Sequence, residues 1–283
     1  MTTDWSAWIG NTEELHDAVD AAPLRRMCAT LDRVLSPGSA LPPLWHWLYF
    51  LPAAPRSQIG ADGHPRRGGF LPPLPLPRRM WAGGRLAFRA PLYPGQAIRR
   101  VSRIADITAR SGRSGELVFV KVVHDVLRGT EVAVREEQDI VFREAPQPGS
   151  VQPAPRAAPD DHDYARVFEP DPVLLFRYSA LTFNGHRIHY DQPYATQREG
   201  YPALVVHGPL VATLLLEQLQ RERPDLRIAS FDFRALSPLF DGAPFWLCGK
   251  VQGGTAQLWA RGAQGELAME ATAHVAAEGG SSQ

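Results

Sequence analysis

Two proline-rich stretches decide how this chain can be divided. One runs from Leu51 to Gly84 (LPAAPRSQIGADGHPRRGGFLPPLPLPRRMWAGG) and the other from Ala145 to Asp161 (APQPGSVQPAPRAAPDD). Proline fixes φ and has no N–H, so at this density neither a helix nor an inner strand survives. The first stretch is predicted to be a long irregular connection. The second reads as a linker, splitting the 283 residues into an N-terminal unit, 1–144, and a C-terminal unit, 162–283, joined by 145–161.

Between these stretches the patterning is regular. In the first half TEELHDAVDAAPLRRMCATLDRV is predicted to be a helix, capped by Asn11 or Thr12 and broken or restarted at Pro23. Leu44–Leu51 is an apolar, aromatic strand or buried segment. Three strands follow in RLAFRAPLYPGQAIRRVSRIADITARSG, GELVFVKVVHDVLRG and EVAVREEQDIVFRE, with turns at Ser111–Gly115 and Arg128–Thr130. Short turns between consecutive strands imply antiparallel pairing.

The second half is predicted to open with a strand in LLFRYSALTF, followed by a polar loop and a helix in GPLVATLLLEQLQRER. Leu210, Leu214, Leu215 and Leu219 share one face of that helix, and Pro224 ends it. The segments RIASFDFRALSPLF, PFWLCGKVQGG with TAQLWARGA, and ELAMEATAHVAAE close the chain as strands. Helix first and antiparallel sheet second, twice over, is an α+β pattern in which each sheet can wrap a helix.

Thirty basic and thirty acidic residues leave the net charge at zero, without a charged tail, which argues against a nucleic-acid partner. No apolar run approaches the ~20 residues of a membrane span. The opening MTTDWSAWIG lacks the regions of a signal peptide, so a cytoplasmic protein is expected. Cys28 and Cys248 have no metal-type spacing and read as two thiols in a reducing compartment.

The densest polar constellation is Tyr178-SALTF-Asn184-Gly-His186-Arg187-Ile-His189-Tyr-Asp191, followed by GYPALVVHGPL with His207 and Gly208. Adding water to a double bond conjugated with a thioester needs a base for the water, a proton for the α-carbon and a donor for the developing enolate oxygen. A histidine suits the first task. The free amides and dipole at the start of the Gly208 helix suit the third, and glycine permits close approach. Asn184 can orient water but cannot exchange a proton. Each histidine has a structural reading too: His186 as a surface residue, His189 as a satisfied core residue, His207 as a hydrogen-bonding partner at a helix start. A metal set of His186, His189 and Asp191 is disfavoured, because a spacing of three puts the two histidines on opposite faces of a strand.

At these residues the sequence resembles the MaoC-like (R)-specific enoyl-CoA hydratase family. Asn184 stands where the family has Asp, His186 where it has Asn, Arg187 where it has Pro, and His189 at the catalytic His. Val206–Leu210 resembles the helix-start element, with Gly208 as the amide that holds the thioester oxygen. SGRSGELVFVKVVHDV, EEQDIVFRE and FDFRALSPLF extend the resemblance to the mesaconyl-C4-CoA and itaconyl-CoA hydratases and the hydroxyacyl-thioester dehydratase type 2 proteins.

The resemblance implies a double hot dog with a degenerate first unit and one site per chain, since the first half has no counterpart of the N-x-H-x-x-H string. It implies hydration of a short carboxylated enoyl-CoA, itaconyl-CoA or mesaconyl-C4-CoA, to citramalyl-CoA. His189, Asn184 and Gly208 are then the catalytic candidates, and Tyr178, His186, Arg187, Arg234 and His207 the substrate-binding ones. Arg187, Arg177 and Arg234 are candidates for meeting the carboxylate. No metal and no cofactor are expected, coenzyme A being part of the substrate, and hot-dog sheet pairing leaves a homodimer open. The rival readings are a dehydratase of 3-hydroxy fatty acyl thioesters, a hot-dog thioesterase, and an inactive partner subunit. With Asn184 in the carboxylate position, the route of the second proton stays open among His189 alone, His186 and Asp191.

Overall fold

The computed structural model describes residues 5–112, 115–144 and 154–275. Among these residues ten strands form one antiparallel sheet: β1 Thr12–Ala18, β2 Arg78–Phe88, β3 Ala97–Gly112, β4 Gly115–Arg128, β5 Glu131–Arg143, β6 Tyr164–Phe168, β7 Ile228–Ala235, β8 Phe245–Gln252, β9 Thr255–Arg261 and β10 Leu267–Val275. Three α-helices accompany them: α1 Ala21–Leu31, α2 Pro172–Leu181 and α3 Gly208–Glu222.

The order across the sheet is β1-β3-β4-β5-β2-β7-β10-β9-β8-β6. Each half therefore repeats one topology, first strand, third, fourth, fifth, second, and the halves join through their second strands. This is the double hot dog that the resemblance implies. The seam pairs Gly84 with Phe233 and Leu86 with Phe231. A Cβ on Gly83 would lie 2.6 Å from the Phe233 carbonyl oxygen, and one on Gly84 2.8 Å from the Phe233 ring, so the seam closes only on glycine.

The β3, β4, β5 and β7–β10 strands follow the sequence reading, and other elements depart from it. Strand β2 begins at Arg78, inside the stretch predicted to be irregular, and runs as an inner strand because no proline follows Pro77 there; β6, Tyr164–Phe168, was not foreseen. The predicted N-terminal helix is a strand followed by a helix: Thr12–Ala18 pairs with β3, and α1 starts only at Ala21. Alternating exposure along β1 carries the strand, and Pro23 sits in the first turn of α1, where a missing N–H costs nothing. The predicted strand in LLFRYSALTF is instead α2. The Asp171 side chain accepts the Leu174 amide at 2.8 Å and Pro172 occupies N1, so an N-cap and a helix-start proline override the apolar run. Each half thus begins with a strand, not a helix. The apolar Leu44–Leu51 segment is a buried 3-10 turn over Trp45–Leu48.

Every residue from Leu210 to Leu219 is buried, so α3 is enclosed on all sides rather than amphipathic. Each leucine placed this way contributes roughly 1.5–3 kcal/mol. Its polar positions are paired within the core: Glu217 accepts from Trp45 Nε1 at 3.0 Å and from Arg33, which ties the central helix of the second half to the first half. The two cysteines are free thiols, Cys248 buried and Cys28 partly so. Residues 145–153 of the predicted linker lie outside the described residues. Beyond them the Arg156 carbonyl accepts from Leu267 N at 2.7 Å, fastening the chain to β10.

Candidate active site

The end of α2 places Tyr178 and Ser179 on its buried face. The chain then turns at Phe183, which takes φ +49°. Asn184 Oδ1 accepts the His186 amide at 3.0 Å, an Asx turn that shapes the motif loop. The loop ends in a 3-10 turn over Arg187–His189. Val205 N donates to Ile188 O at 3.0 Å, and His189 Nδ1 donates to Val205 O at 2.7 Å. These bonds lace the motif loop to the segment that enters α3.

The lacing stacks His189 on His207, with ring centroids 3.7 Å apart and planes 18° from parallel. Tyr178 meets His207 edge-on at 4.9 Å, and His207 Nε2 bonds Ser179 Oγ at 2.8 Å. A carbonyl oxygen only accepts, so His189 carries its proton on Nδ1 and its Nε2 keeps a lone pair. His207 Nδ1 is buried without a hydrogen-bond partner. Burial pushes His189 down to about 4, and burial with the neighbouring His189 and His186 pushes His207 down as well. Both rings are therefore neutral at physiological pH, one of them poised as a base.

Gly208 is the first residue of α3, directly after His207. Apart from its chain neighbours and the backbone of α3 itself, no atom of the described residues lies within 4 Å of where its Cβ would stand, which leaves room for a ligand at the backbone there. Pro209 has no N–H, and the first intrahelical bond is Val211 N to His207 O. The Gly208 amide is left free for an acceptor, at the positive end of a 15-residue helix.

Part of the site comes from the first half, which the sequence reading did not foresee. The proline-rich loop brings Asp62 and His64 against the motif loop: Arg187 N donates to Asp62 O at 2.9 Å. Gly63, at φ +91°, fits so tightly that a Cβ on it would sit 1.8 Å from Gly185 O. His64 Nδ1 bonds Asp62 Oδ2 at 3.1 Å, and the His64 ring lies 4.1 Å from His186, which meets His189 edge-on at 5.5 Å. Burial alone would raise Asp62, but the hydrogen bonds and charge of His64 hold it well below the usual carboxylate range. The available signal was compositional: Asp62 and His64 are the one acidic residue and the one histidine in Leu51–Gly84.

Other sequence candidates fall elsewhere. Asn184 lies in the loop but spends its oxygen on the backbone. Arg187 is held by Asp191 at 2.9 and 2.7 Å and lies 4.2 Å over the Tyr194 ring. Both oxygens of Asp191 are thereby committed, Oδ2 to Arg187 and Oδ1 to the Tyr194 amide at 3.1 Å. Arg177 is exposed on the outer side of α2. On β7, Phe231 and Phe233 point into the core while Asp232 and Arg234 point outward, so Arg234 faces away from α3. Asp62, His64 and His186 are the described residues whose ligand-type atoms come within 4.8 Å of one another, and Asp62 and His64 already satisfy each other there.

Comparison with known proteins places the chain in a family and among structures of the same fold. The family model described as hydroxyacyl-thioester dehydratase type 2 matches residues 44–241, a span that takes in both loops of the site. The chain is 52% identical over 277 residues to the mesaconyl-C(4)-CoA hydratase of Chloroflexus aurantiacus, covering 96% of this chain and 98% of that one. It is 28% identical over 269 residues to the mitochondrial hydroxyacyl-thioester dehydratase type 2 of Schizosaccharomyces pombe, covering 83% and 88%. Among solved structures, a MaoC-like dehydratase from Phytophthora capsici shares the fold at TM-score 0.70 with 14% identity, covering 95% of this chain and 97% of that one. A Mycobacterium tuberculosis protein described as a double hotdog fold does so at 0.59, also with 14% identity, covering 95% and 96%.

Proposed function

This chain belongs to the hydroxyacyl-thioester dehydratase type 2 family, and we propose that it hydrates mesaconyl-C4-CoA, a short enoyl-CoA with a free carboxylate, to citramalyl-CoA. One observation carries the chemistry: His189 is held through Nδ1 by the Val205 carbonyl, with its basic Nε2 free beside the start of α3. Nε2 takes a proton from water as the water oxygen bonds to the β-carbon. The π electrons move toward the thioester carbonyl, whose oxygen takes the Gly208 amide hydrogen bond in the field of the helix dipole. The α-carbon then takes a proton and the thioester carbonyl re-forms.

His189 supplies that second proton as well. An imidazolium is far more acidic than the α-carbon of a thioester, so the proton that His189 takes from water can pass back to the enolate carbon without a carboxylate at Asn184. The addition of water involves no net oxidation or reduction, and coenzyme A enters it as part of the substrate. A cytoplasmic enzyme acting on acyl-CoA, without nucleic acid, fits the balanced charge. No helix among the described residues is long and apolar enough to cross a membrane.

The test is direct. The purified chain is assayed alone, by loss of enoyl-thioester absorbance, with mesaconyl-C4-CoA, itaconyl-CoA, crotonyl-CoA and a long-chain enoyl-CoA. The expected order puts mesaconyl-C4-CoA first. A preference for the long chain would favour the fatty acyl dehydratase reading, and no turnover of any substrate would leave only the inactive partner.

A further inference from the structure

Beside the histidines lies a cavity of about 280 Å3 whose lining is out of electrostatic balance. Asp62 is its one carboxylate, against the guanidinium groups of Arg66, Arg67 and Arg79. Arg67 is fixed in the wall: it donates to the carbonyl oxygens of Leu74 at 2.6 Å, Leu76, and Pro77 at 2.9 Å, and lies 5.0 Å over the Phe142 ring. Arg66 is exposed at the rim. Asp62 is engaged by His64.

Arg79 is the odd member. It stands on β2 opposite Phe142, is half-buried, and makes no hydrogen bond or ion pair among the described residues. Desolvation lowers it only to about 10, so it stays charged at neutral pH, with Asp62 and Arg67 as its charged neighbours. Its guanidinium nitrogens are not closed off by packing, so its donors open onto the cavity and are available to an anion in the space before it. That space reaches the reaction centre by way of His64, and the charge of Arg79 acts on both His64 and His186. His64 lines it, and the His64 ring touches His186, which touches His189.

We infer that Arg79 is the receptor for the free carboxylate of the acyl unit and so sets the preference for carboxylated enoyl-CoA substrates. The inference rests on the reading of the site given above. In a mesaconyl-C4 unit the carboxylate is bonded to the very carbon that water attacks, so its receptor must stand within a side chain's length of the base. A guanidinium takes a carboxylate through two parallel hydrogen bonds. Arg66 and Arg67 add positive potential, while Asp62 opposes a second anion. Arg187, Arg177 and Arg234 are thus relieved of a task that their positions do not suit.

The experiment compares binding of succinyl-CoA and butyryl-CoA, which share a four-carbon acyl chain and differ in the terminal carboxylate, by calorimetry. The wild-type chain is expected to prefer succinyl-CoA; equal affinity overturns the receptor whatever the turnover. Arg79→Met should weaken succinyl-CoA about 10- to 100-fold and leave butyryl-CoA unchanged. Arg79→Lys, which keeps the charge but not the fork, should fall between, and it serves alone if Arg79→Met does not fold. A parallel loss for both thioesters would mean that Arg79 meets the phosphates of CoA, and no loss for either would mean that it meets nothing. Both outcomes overturn the inference. Wild-type chain that prefers succinyl-CoA through Arg79 yet fails to hydrate mesaconyl-C4-CoA would overturn the proposed reaction and leave the receptor standing.

Discussion

The two halves share a topology and each buries a histidine cluster, but the clusters are finished differently. In the first half Glu136, 2% exposed, is surrounded by donors: His46 at 2.9 Å, Trp47 Nε1 at 3.0 Å and Gln138 Nε2 at 2.8 Å, with His124 bonded to Ser102 beside it at 2.8 Å. In the second half His189 is held by one nitrogen only, and His207 keeps one nitrogen buried and unpaired. A saturated polar cluster fixes a core; one with open lone pairs beside a free helix amide can do chemistry. On the proposed function, the same fold holds a scaffold on one side and a reagent on the other.

Breaking each cluster should separate these roles. His189→Ala is expected to cost the most in activity, lowering kcat about 10²- to 10⁴-fold. Its cost in stability should be only about 1–3 kcal/mol. Steady-state kinetics and urea melts on the same preparation read both. Glu136→Ala should do the reverse: it strips His46 and Trp47 of their shared acceptor and lowers unfolding free energy by about 3–5 kcal/mol, with kcat per folded molecule unchanged. If Glu136→Ala abolished turnover in fully folded protein, the first-half cluster would have to be read as catalytic.

A smaller effect is expected where the halves touch across the loops. Gly63→Ala would drive a Cβ against Gly185 O at a backbone φ of +91°. The loops must part, moving His64 from His186 and the motif loop from α3. A displacement of about 1 Å at a reaction centre costs on the order of 10²-fold in kcat/KM. Wild-type rates for this variant would mean that the Asp62–His64 loop is dispensable to the site.

Acid titration should show both clusters at once. Burial pushes His124 and His189 down to about 4, below their unfolded value near 6.5. A group depressed in this way contributes its full stability above pH 6.5 and loses it as pH falls from 6.5 toward 4. Each such histidine adds up to about 1.4 kcal/mol per pH unit of slope across that window. Glu136 acts lower. Burial raises it, but His46 and its other donors outweigh this and leave it at about 2, so its contribution is lost between pH 4.5 and 2. Urea midpoints measured from pH 7 to 4 should therefore fall steadily, while kcat/KM of the still-folded protein keeps its acid limb near 4 instead of 6.5.

The sequence made much of the sheet and the loop that carries His189 legible, and left the neighbours of that loop dark. Alternation in β4 and the leucine spacing of α3 are local signals, as is the N-x-H-x-x-H string. The helical α2 was legible too, since Asp171-Pro172 is a helix start, but a dense apolar run masked it. The engagement of Arg187 followed from its i,i+4 relation to Asp191. What no local pattern could give was the arrival of Asp62 and His64 at the motif loop, with Arg79 lining the cavity behind them. That juxtaposition depends on the β2–β7 seam, and on a loop whose prolines announce irregularity without saying where it leads.

The smallest effect should come from the position where the family motif carries a carboxylate. Asn184 spends Oδ1 on the His186 amide and so builds the turn that presents the histidine loop. An aspartate is nearly isosteric and can accept the same bond, as both residues do in Asx turns. Asn184→Asp should therefore keep the loop and leave kcat within a factor of about two or three, because the new carboxylate stays committed to the backbone. It should also leave the pH profile in place if His189 carries both protons as proposed. A rise in kcat of tenfold or more, with a new limb near pH 4–5, would show instead that the site had been waiting for a second acid–base group and that His189 alone moves the protons poorly.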